Sequence, residues 1–367
     1  MKYLKYLAIS FLIISVGYYL SLVVVSNFDI RNDYRHQRER LEVLRENPNP
    51  PVTESDFVNF DISNNDLKLN EIQVLATHNS FKAMPNMYIS KFLELFWGQK
   101  TRNTQYGMPY LTDQLDSGIR GLELDITMYG NDIILMHDPL TDWRTNGPDF
   151  AMTLEEINIW SDQNSGHVPV HIMIQIRSTW SVFTHKFGSF ERENLIQMEE
   201  LLDEILGEKI IRPGEIIGNN NTLTDAIMND GWPMLNDSLG RFYFTILFDD
   251  KHTKKEYIDI DPDFKTQNCF VFTRLDDGIK DYSAFILADC PFQEGLKEYV
   301  DANHILRTRV DVQFSHPPER LKAAIELGSV ILATDYPEGH TYDDDYICRL
   351  TPDNKTVLQR GSVTFSN

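Results

Sequence analysis

The chain has 367 residues, 24% of them charged and 42% hydrophobic, which is enough for one large barrel or two ordinary domains and too apolar for a disordered polymer. Its formal net charge of −21 at pH 7 disfavours nucleic acid as a partner, because binding that backbone requires Lys and Arg to displace counterions. A small phosphodiester stays compatible, since screening at physiological salt confines charge effects to about 8 Å and local cations then decide.

The first element is apolar. After Lys2 and Lys5, the run from Tyr6 to Ser26 carries no charged residue and approaches the ~20 apolar residues that a bilayer span requires. It ends in Leu22-Val23-Val24-Val25-Ser26 and lacks the short apolar core and small-x-small exit of a cleaved signal peptide. The expectation is an uncleaved anchor over residues 1–27, a membrane partner, and an exported, extracytoplasmic catalytic domain; cleavage would give a secreted protein instead. Lys2 and Lys5 on one side and Arg31, Arg35, Arg38 and Arg40 on the other leave the orientation open. Residues 28–67 are polar and interrupted by Asn47-Pro48-Asn49-Pro50-Pro51, which predicts a short helix followed by an extended linker.

Strand-like runs follow at Glu71–Ala76, Ile119–Ile126, Asp132–His137, Pro169–Ile176, Arg241–Phe248, Cys269–Phe272, Ala284–Ala288, His304–Arg309 and Val330–Thr334. Nine runs fit an eight-stranded barrel plus one hairpin partner. Helical patterns lie between them at Leu111–Ser117, Thr153–Trp160 with a capping box from Thr153 to Glu156, Phe190–Leu206, Thr222–Met228 and Pro318–Leu327. This alternation predicts an α/β fold, a (β/α)8 TIM-type barrel of irregular build over residues 68–340, preceded by the N-terminal membrane-anchor helix. The tail, residues 341–367, includes Asp343-Asp344-Asp345 and little periodicity, and is expected to wrap the surface or stay partly disordered. Three cysteines, Cys269, Cys290 and Cys348, allow one disulfide plus a thiol, or three buried thiols.

Chemistry gathers at the ends of the first three runs, in Thr77-His78-Asn79-Ser80, Glu123-Leu124-Asp125 and His137-Asp138-Pro139. Barrel enzymes carry their active sites at the C-terminal strand ends. His78 and His137 can serve as general base and acid near neutral pH, and Asn79, Glu123 and Asp125 offer hard oxygen ligands to a divalent cation. Strand alternation places Glu123 and Asp125 on one face, pointing into the barrel mouth, with Leu122, Leu124 and Ile126 toward the helices. Two adjacent carboxylates repel each other, and a bound metal relieves that repulsion. Such a set suits cleavage of a phosphodiester. Singly placed histidines, His167, His171, His185, His252, His304, His316 and His340, are treated as surface or packing residues.

The blocks Ala76-Thr77-His78-Asn79-Ser80-Phe81, Leu111-Thr112-Asp113-Gln114-Leu115, Gly118-Ile119-Arg120, Glu123-Leu124-Asp125 and Met136-His137 resemble the calcium-dependent, bacterial-type phosphatidylinositol-specific phospholipase C family of the phospholipase-C-like phosphodiesterase superfamily. Later blocks fit the same resemblance: Thr222-Leu223, Gly231-Trp232-Pro233, Leu306 to Asp311, and Ala333-Thr334-Asp335-Tyr336-Pro337. It covers residues 70 to 340, while His137-Asp138 alone also resembles glycerophosphodiester phosphodiesterases. The resemblance implies proton transfer by His78 and His137 and calcium on Asn79, Glu123 and Asp125; the hard oxygen donors themselves also allow Mg2+. One departure stands out. Where the family strand carries a Glu that completes the metal site, this chain has Gln175, followed by Arg177. Gln175 retains an amide oxygen for the metal but removes a negative charge, which lowers cation affinity, and Arg177 can pair with a phosphate oxygen.

Arg307, Arg309 and Asp311 alternate along a late strand and are assigned to substrate binding, or to a salt-bridged barrel interior. Asp335 is assigned to a hydrogen bond with a catalytic histidine or an inositol hydroxyl. Aromatic stretches at Met87–Trp97 and Trp180–Phe190 are read as core or as lipid-facing anchors. The functional expectation is a phosphoric diester hydrolase or lyase acting on a phospholipid or other phosphodiester substrate. A glycerophosphodiesterase or phospholipase D-like hydrolase and a membrane-tethered, catalytically weakened binding protein are the alternatives.

Overall fold

The computed structural model describes residues 2–63, 66–139, 141–178, 186–312 and 314–365. Its strands are β1 (Ile72–Thr77), β2 (Gly121–Tyr129), β3 (Asp132–Leu135), β4 (Val170–Ile176), β5 (Phe187–Gly188), β6 (Phe242–Phe248), β7 (Cys269–Arg274), β8 (Phe285–Leu287), β9 (Ile305–Arg309), β10 (Ile331–Thr334) and β11 (Val357–Gln359). Eight of them, β1, β2, β4, β6, β7, β8, β9 and β10, pair in that order through parallel ladders, and β10 returns to β1. The result is the closed (β/α)8 barrel expected from the alternation of elements.

Closure at β1 and β2 depends on close approach. Ala76 faces Gly121, and a Cβ on Gly121 would lie 2.4 Å from that of Ala76. The interior near the base is filled by rings, with His171 5.1 Å from Tyr243 and 6.0 Å from Phe272 between centroids. Burial pushes the His171 pKa well below the ordinary histidine range, so it is a neutral packing residue that bonds Thr245. β3 is the hairpin partner, antiparallel to β2 with Ile126 opposite Leu135.

Three elements differ from the expectations. The helix expected to start at a Thr153–Glu156 capping box spans Phe150–Gln163 and is capped by Asp149, whose side chain accepts from the Met152 N–H. The tail forms β11, antiparallel to β1 with Val74 opposite Val357, and Val357 and Leu358 are buried. A three-residue strand is too short to show a period. All three cysteines are free thiols, with Cys269 and Cys348 buried.

The third difference concerns the stretch expected to be a linker. Helix α1 runs unbroken over Lys2–Glu46, and its second half is docked on the barrel. Asp29, Asp33, Gln37, Leu41 and Leu44 recur at steps of three and four and are buried along one stripe. The stripe is largely polar, so hydropathy periodicity does not reveal it. Arg144 grips Asp33 with three hydrogen bonds of 2.8–3.0 Å, Gln37 bonds Thr153 and the Asp149 carbonyl, and Arg40 pairs with Glu156. Beyond α1 the chain stays on the surface of the barrel, and Glu54 holds the fully buried Arg120 guanidinium at the start of β2.

A fragment beginning at residue 60 therefore strips Arg120 of its counter-charge, a loss of about 3–5 kcal/mol for a broken buried pair. At about 2–4 °C per kcal/mol, its thermal midpoint is expected on the order of 10 °C below that of a fragment beginning at Asn27. Equal midpoints by calorimetry would show that the docking adds nothing to stability.

Candidate active site

The site is built on the C-terminal ends of β1, β2, β9 and β10 and on the loop after β3. The turn after β1 is tightly specified. Asn79 adopts φ 51°, a left-handed conformation that asparagine tolerates, and Ser80 locks the turn to β2 by accepting the Glu123 N–H at 2.7 Å. Gln114 donates to the carbonyls of Ser80 and Pro109 and accepts from Thr77, which explains a glutamine in the block from Leu111 to Leu115.

Each predicted catalytic histidine has a carboxylate at Nδ1. His78 Nδ1 lies 2.6 Å from Asp335 Oδ1, and His137 Nδ1 lies 2.9 Å from Asp142 Oδ2. His78 Nε2 lies 3.7 Å from Glu123 Oε1. The two rings are 19% and 25% exposed, whereas Glu123, Asp142 and Asp335 are 4% exposed or less, so solvent reaches the imidazoles and not the carboxylates. An imidazole held through Nδ1 is oriented for proton transfer at its other nitrogen.

Behind His137 lies a pair that sequence reasoning missed. The loop after β3 folds back through an Asp138–Asp142 bridge and brings Asp142 under the ring, while Asp138 itself caps the turn through Thr141. Asp142 Oδ1 is 2.9 Å from Lys82 Nζ, and both side chains are fully buried. These are close ion pairs whose angles fall short of hydrogen bonds. Burial lowers the Lys82 pKa against the opposing pull of Asp142. For Asp142 burial works upward, yet Lys82 and His137 outweigh it and hold the carboxyl below its ordinary range. Burial works downward on His137, and Asp142 followed by Asp125 overcomes it, so its pKa lies above the ordinary histidine value. The available signal was an acid five residues after His137 and a lysine four residues after His78.

The predicted ligand and substrate residues converge on the same mouth. Glu123 pairs with Arg307 through Oε2, and Asp125 accepts from Arg177 at 2.6 and 2.8 Å through Oδ2. Arg309 pairs with Asp335 and lies 3.9 Å from Asp311. Asp311 accepts from Thr334 and from the Asp335 N–H. Its pKa is pushed up to about 7 by burial and by the charge of Asp335. Gln175, level with Asp125 in the ladder, gives its amide nitrogen to Asp249 at 2.7 Å, another partner that the sequence reading did not single out.

Three acceptor groups remain for a cation. Among the described residues Asp125 Oδ1 is buried without a hydrogen-bond partner, Glu123 Oε1 lies 3.7 Å from His78 Nε2, and Asn79 gives its amide nitrogen to Tyr106, leaving its carbonyl oxygen as the acceptor end. Hard oxygens of this kind fit calcium. Among the described residues no group of three His, Cys, Asp or Glu side chains is placed to hold a metal, so an ion here depends on amide oxygens as well as the two carboxylates. Of the aromatic stretches, Met87–Trp97 forms helix α2, and Trp180 to His185 lie outside the described residues.

The sequence matches the family described as "Phosphoinositide phospholipase C, Ca2+-dependent" over residues 67–132 and 127–359. No curated protein matches it. Among solved structures it is similar to a calcium-dependent phosphoinositol-specific phospholipase C from a Gram-negative Pseudomonas species, with 16% identity, a TM-score of 0.59, and 83% of this chain and 99% of that one covered. A myo-inositol complex of a phospholipase C described in the same terms gives 17% identity and a TM-score of 0.56 over 76% of this chain and 93% of that one. A Ca2+-dependent phosphatidylinositol-specific phospholipase C from Streptomyces antibioticus gives 18% identity and 0.55 over 73% and 95%. At these identities the likeness shows the fold.

Removing either partner of the Lys82–Asp142 pair strands a buried charge, and Lys82→Met is expected to cost about 3–5 kcal/mol in a denaturant melt. Lys82→Met combined with Asp142→Leu should cost less than the sum of the single changes. In that double variant the His137 pKa should fall. A histidine whose folded pKa is raised stabilises the fold fully below its unfolded value and loses that contribution as pH rises through the folded value. The double variant should therefore lose this part of the pH dependence of stability, and an unchanged His137 titration by NMR would detach Asp142 from the ring.

Proposed function

Since the chain belongs to the Ca2+-dependent phosphoinositide phospholipase C family, we propose that it cleaves phosphatidylinositol-type diesters by internal attack, with His78 and His137 moving the protons. The observation that carries the reading is the pair of imidazoles, each held at Nδ1 by a buried carboxylate, facing one mouth lined by Arg307, Arg309 and Arg177.

The inositol 2-hydroxyl lies beside the phosphate. Its oxygen forms a bond to phosphorus as the bond from phosphorus to the glyceride oxygen breaks, giving a cyclic inositol phosphate and diacylglycerol. His78 takes the hydroxyl proton, backed by Asp335. His137, which Asp142 keeps protonated to a higher pH than an ordinary histidine, gives a proton to the leaving oxygen. The arginines face the charge that develops on the phosphoryl oxygens. Asn79, Glu123 and Asp125, with Gln175 at the edge, would hold calcium, which supplies Lewis-acid charge to the phosphoryl group. Gln175 brings no charge, and Arg177 already balances Asp125. Both weaken the attraction for a cation.

The catalytic unit in this reading includes the docked half of α1 as well as the barrel. The first half of α1 is long and apolar enough to cross a membrane by length and composition, and in this reading it tethers that unit to the bilayer, with an extracytoplasmic barrel as the proposed side.

With phosphatidylinositol vesicles and calcium, released phosphorus species followed by NMR are expected to include cyclic inositol phosphate. His78→Ala and His137→Ala should each lower the rate by about 10²- to 10⁴-fold without unfolding the protein; a near-normal rate in either would remove the two-histidine scheme. A linear glycerophosphate or an intact phosphatidate as first product would place the chain with other diesterases. Gln175→Glu should raise calcium affinity by an order of magnitude or more, read by calorimetric titration of the ion alone.

A further inference from the structure

Where the β9–β10 ladder ends, a side chain takes over from the backbone. The register closes with Ala333 opposite Arg309, and the last backbone bond runs from the Val310 N–H to the Ala333 carbonyl. Two residues farther along β10's exit, Asp335 is fully buried, so its N–H must find an acceptor inside the protein. Asp311 supplies it. Its Oδ1 accepts that N–H at 3.0 Å, and its Oδ2 accepts the Thr334 hydroxyl.

The bonds spread from there. The Thr334 hydroxyl oxygen accepts the Tyr336 N–H at 3.0 Å, and the Thr334 carbonyl accepts the His78 N–H at 3.0 Å. Three successive residues after the ladder, and the backbone of His78 beside them, are therefore tied through one carboxyl group. The middle residue of the three is Asp335, whose carboxylate holds His78 Nδ1 at 2.6 Å. Arg309 is steadied from the same side. Its Nη2 pairs with Asp335 Oδ2 and lies 3.9 Å from Asp311 Oδ1, while its Nε is buried with no hydrogen-bond partner among the described residues. Asp311 itself is 1% exposed and both of its oxygens are engaged, which leaves it no surface to offer a substrate hydroxyl.

We propose that Asp311 is a positioning residue of the reaction: it fixes the peptide of Asp335, and through it the ring of His78 and the guanidinium of Arg309, without touching the substrate. A small displacement of Asp335 would swing the imidazole off the line of proton transfer, because a ring held at Nδ1 turns with its carboxylate. The effect on rate rests on the phospholipase reading; the hold on His78 does not.

The test compares Asp311→Ala and Asp311→Asn in the full chain, acting on phosphatidylcholine vesicles that contain phosphatidylinositol, with calcium present. Asp311→Ala is expected to lower kcat by about 10- to 100-fold with little change in KM. Asp311→Asn keeps an acceptor oxygen for the Asp335 N–H and should recover most of that loss. A raised KM with kcat retained would return Asp311 to substrate contact, and an unchanged kcat in a destabilised Asp311→Ala would leave it a packing role; either overturns the proposal. If Asp311→Ala does not fold, Thr334→Val removes one of the same bonds and should lower kcat, not raise KM; an unchanged kcat there overturns the proposal equally. A second readout needs no turnover. In protein labelled with 15N-histidine, the ring-nitrogen signals of His78, assigned through His78→Ala, should shift further in Asp311→Ala than in Asp311→Asn. Equal shifts in the two variants overturn the hold on His78. Absence of product from the unaltered chain overturns the phospholipase reading, while the ring signals still decide the positioning role.

Discussion

The pairing of buried carboxylates with arginines at the strand ends is the constraint on which the rest of the site depends. Glu123 with Arg307, Asp125 with Arg177 and Asp335 with Arg309 each join different strand ends around the mouth. None of these carboxylates could stay ionised in a dry barrel without a counter-charge, and none of the arginines could be buried alone. The ring of pairs therefore fixes side-chain rotamers across the barrel. It also carries the histidines, because Asp335 holds His78 and the charge of Asp125 adds to the pull on His137. Asp311 shows the limit of the scheme. It lies beside Asp335 with Arg309 3.9 Å away, and burial with that neighbouring charge brings its pKa up to about 7.

The same pairing sets the terms for a metal. Arg177 and an ion would compete for the charge of Asp125, but not for the same oxygen, since Arg177 takes Oδ2 and Oδ1 is left without a partner. Gln175 sharpens the contrast, because a glutamate there would face Asp249 with a second negative charge, while the amide donates to it. The glutamine and arginine at the end of β4 are thus one adjustment: less acid for a cation and a fixed guanidinium nearby.

Legibility in the sequence followed the range of the interactions involved. All nine strand-like runs are strands, since each is an apolar run marked by its own residues, and the hairpin partner of β2 was implied by their number. His78, Glu123, Asp125 and His137 were found because strand periodicity and position place them at one mouth. Asp142 and Lys82 were not, because a buried ion pair between two loops leaves no local pattern. Asp249 escaped for the same reason. β11 is a strand only because β1 offers it an unpaired edge at the barrel base.

The docked half of α1 shows what a hydropathy pattern conceals. An amphipathic helix normally advertises its buried face with apolar residues; here the stripe through Asp29, Asp33 and Gln37 is buried by bonds to Trp143, Arg144 and Asp149. Polar docking has a functional consequence that apolar docking would not. Apolar contacts slide with little penalty, whereas a bidentate arginine pair and a reciprocal amide bond hold one register. A shift of one helical turn would move the apolar end by about 5.4 Å relative to the barrel and break all of these bonds together. The polar stripe therefore fixes the register between the apolar end of α1 and the barrel, and the residues that hide the docked half of α1 from a sequence reading are those that set that register.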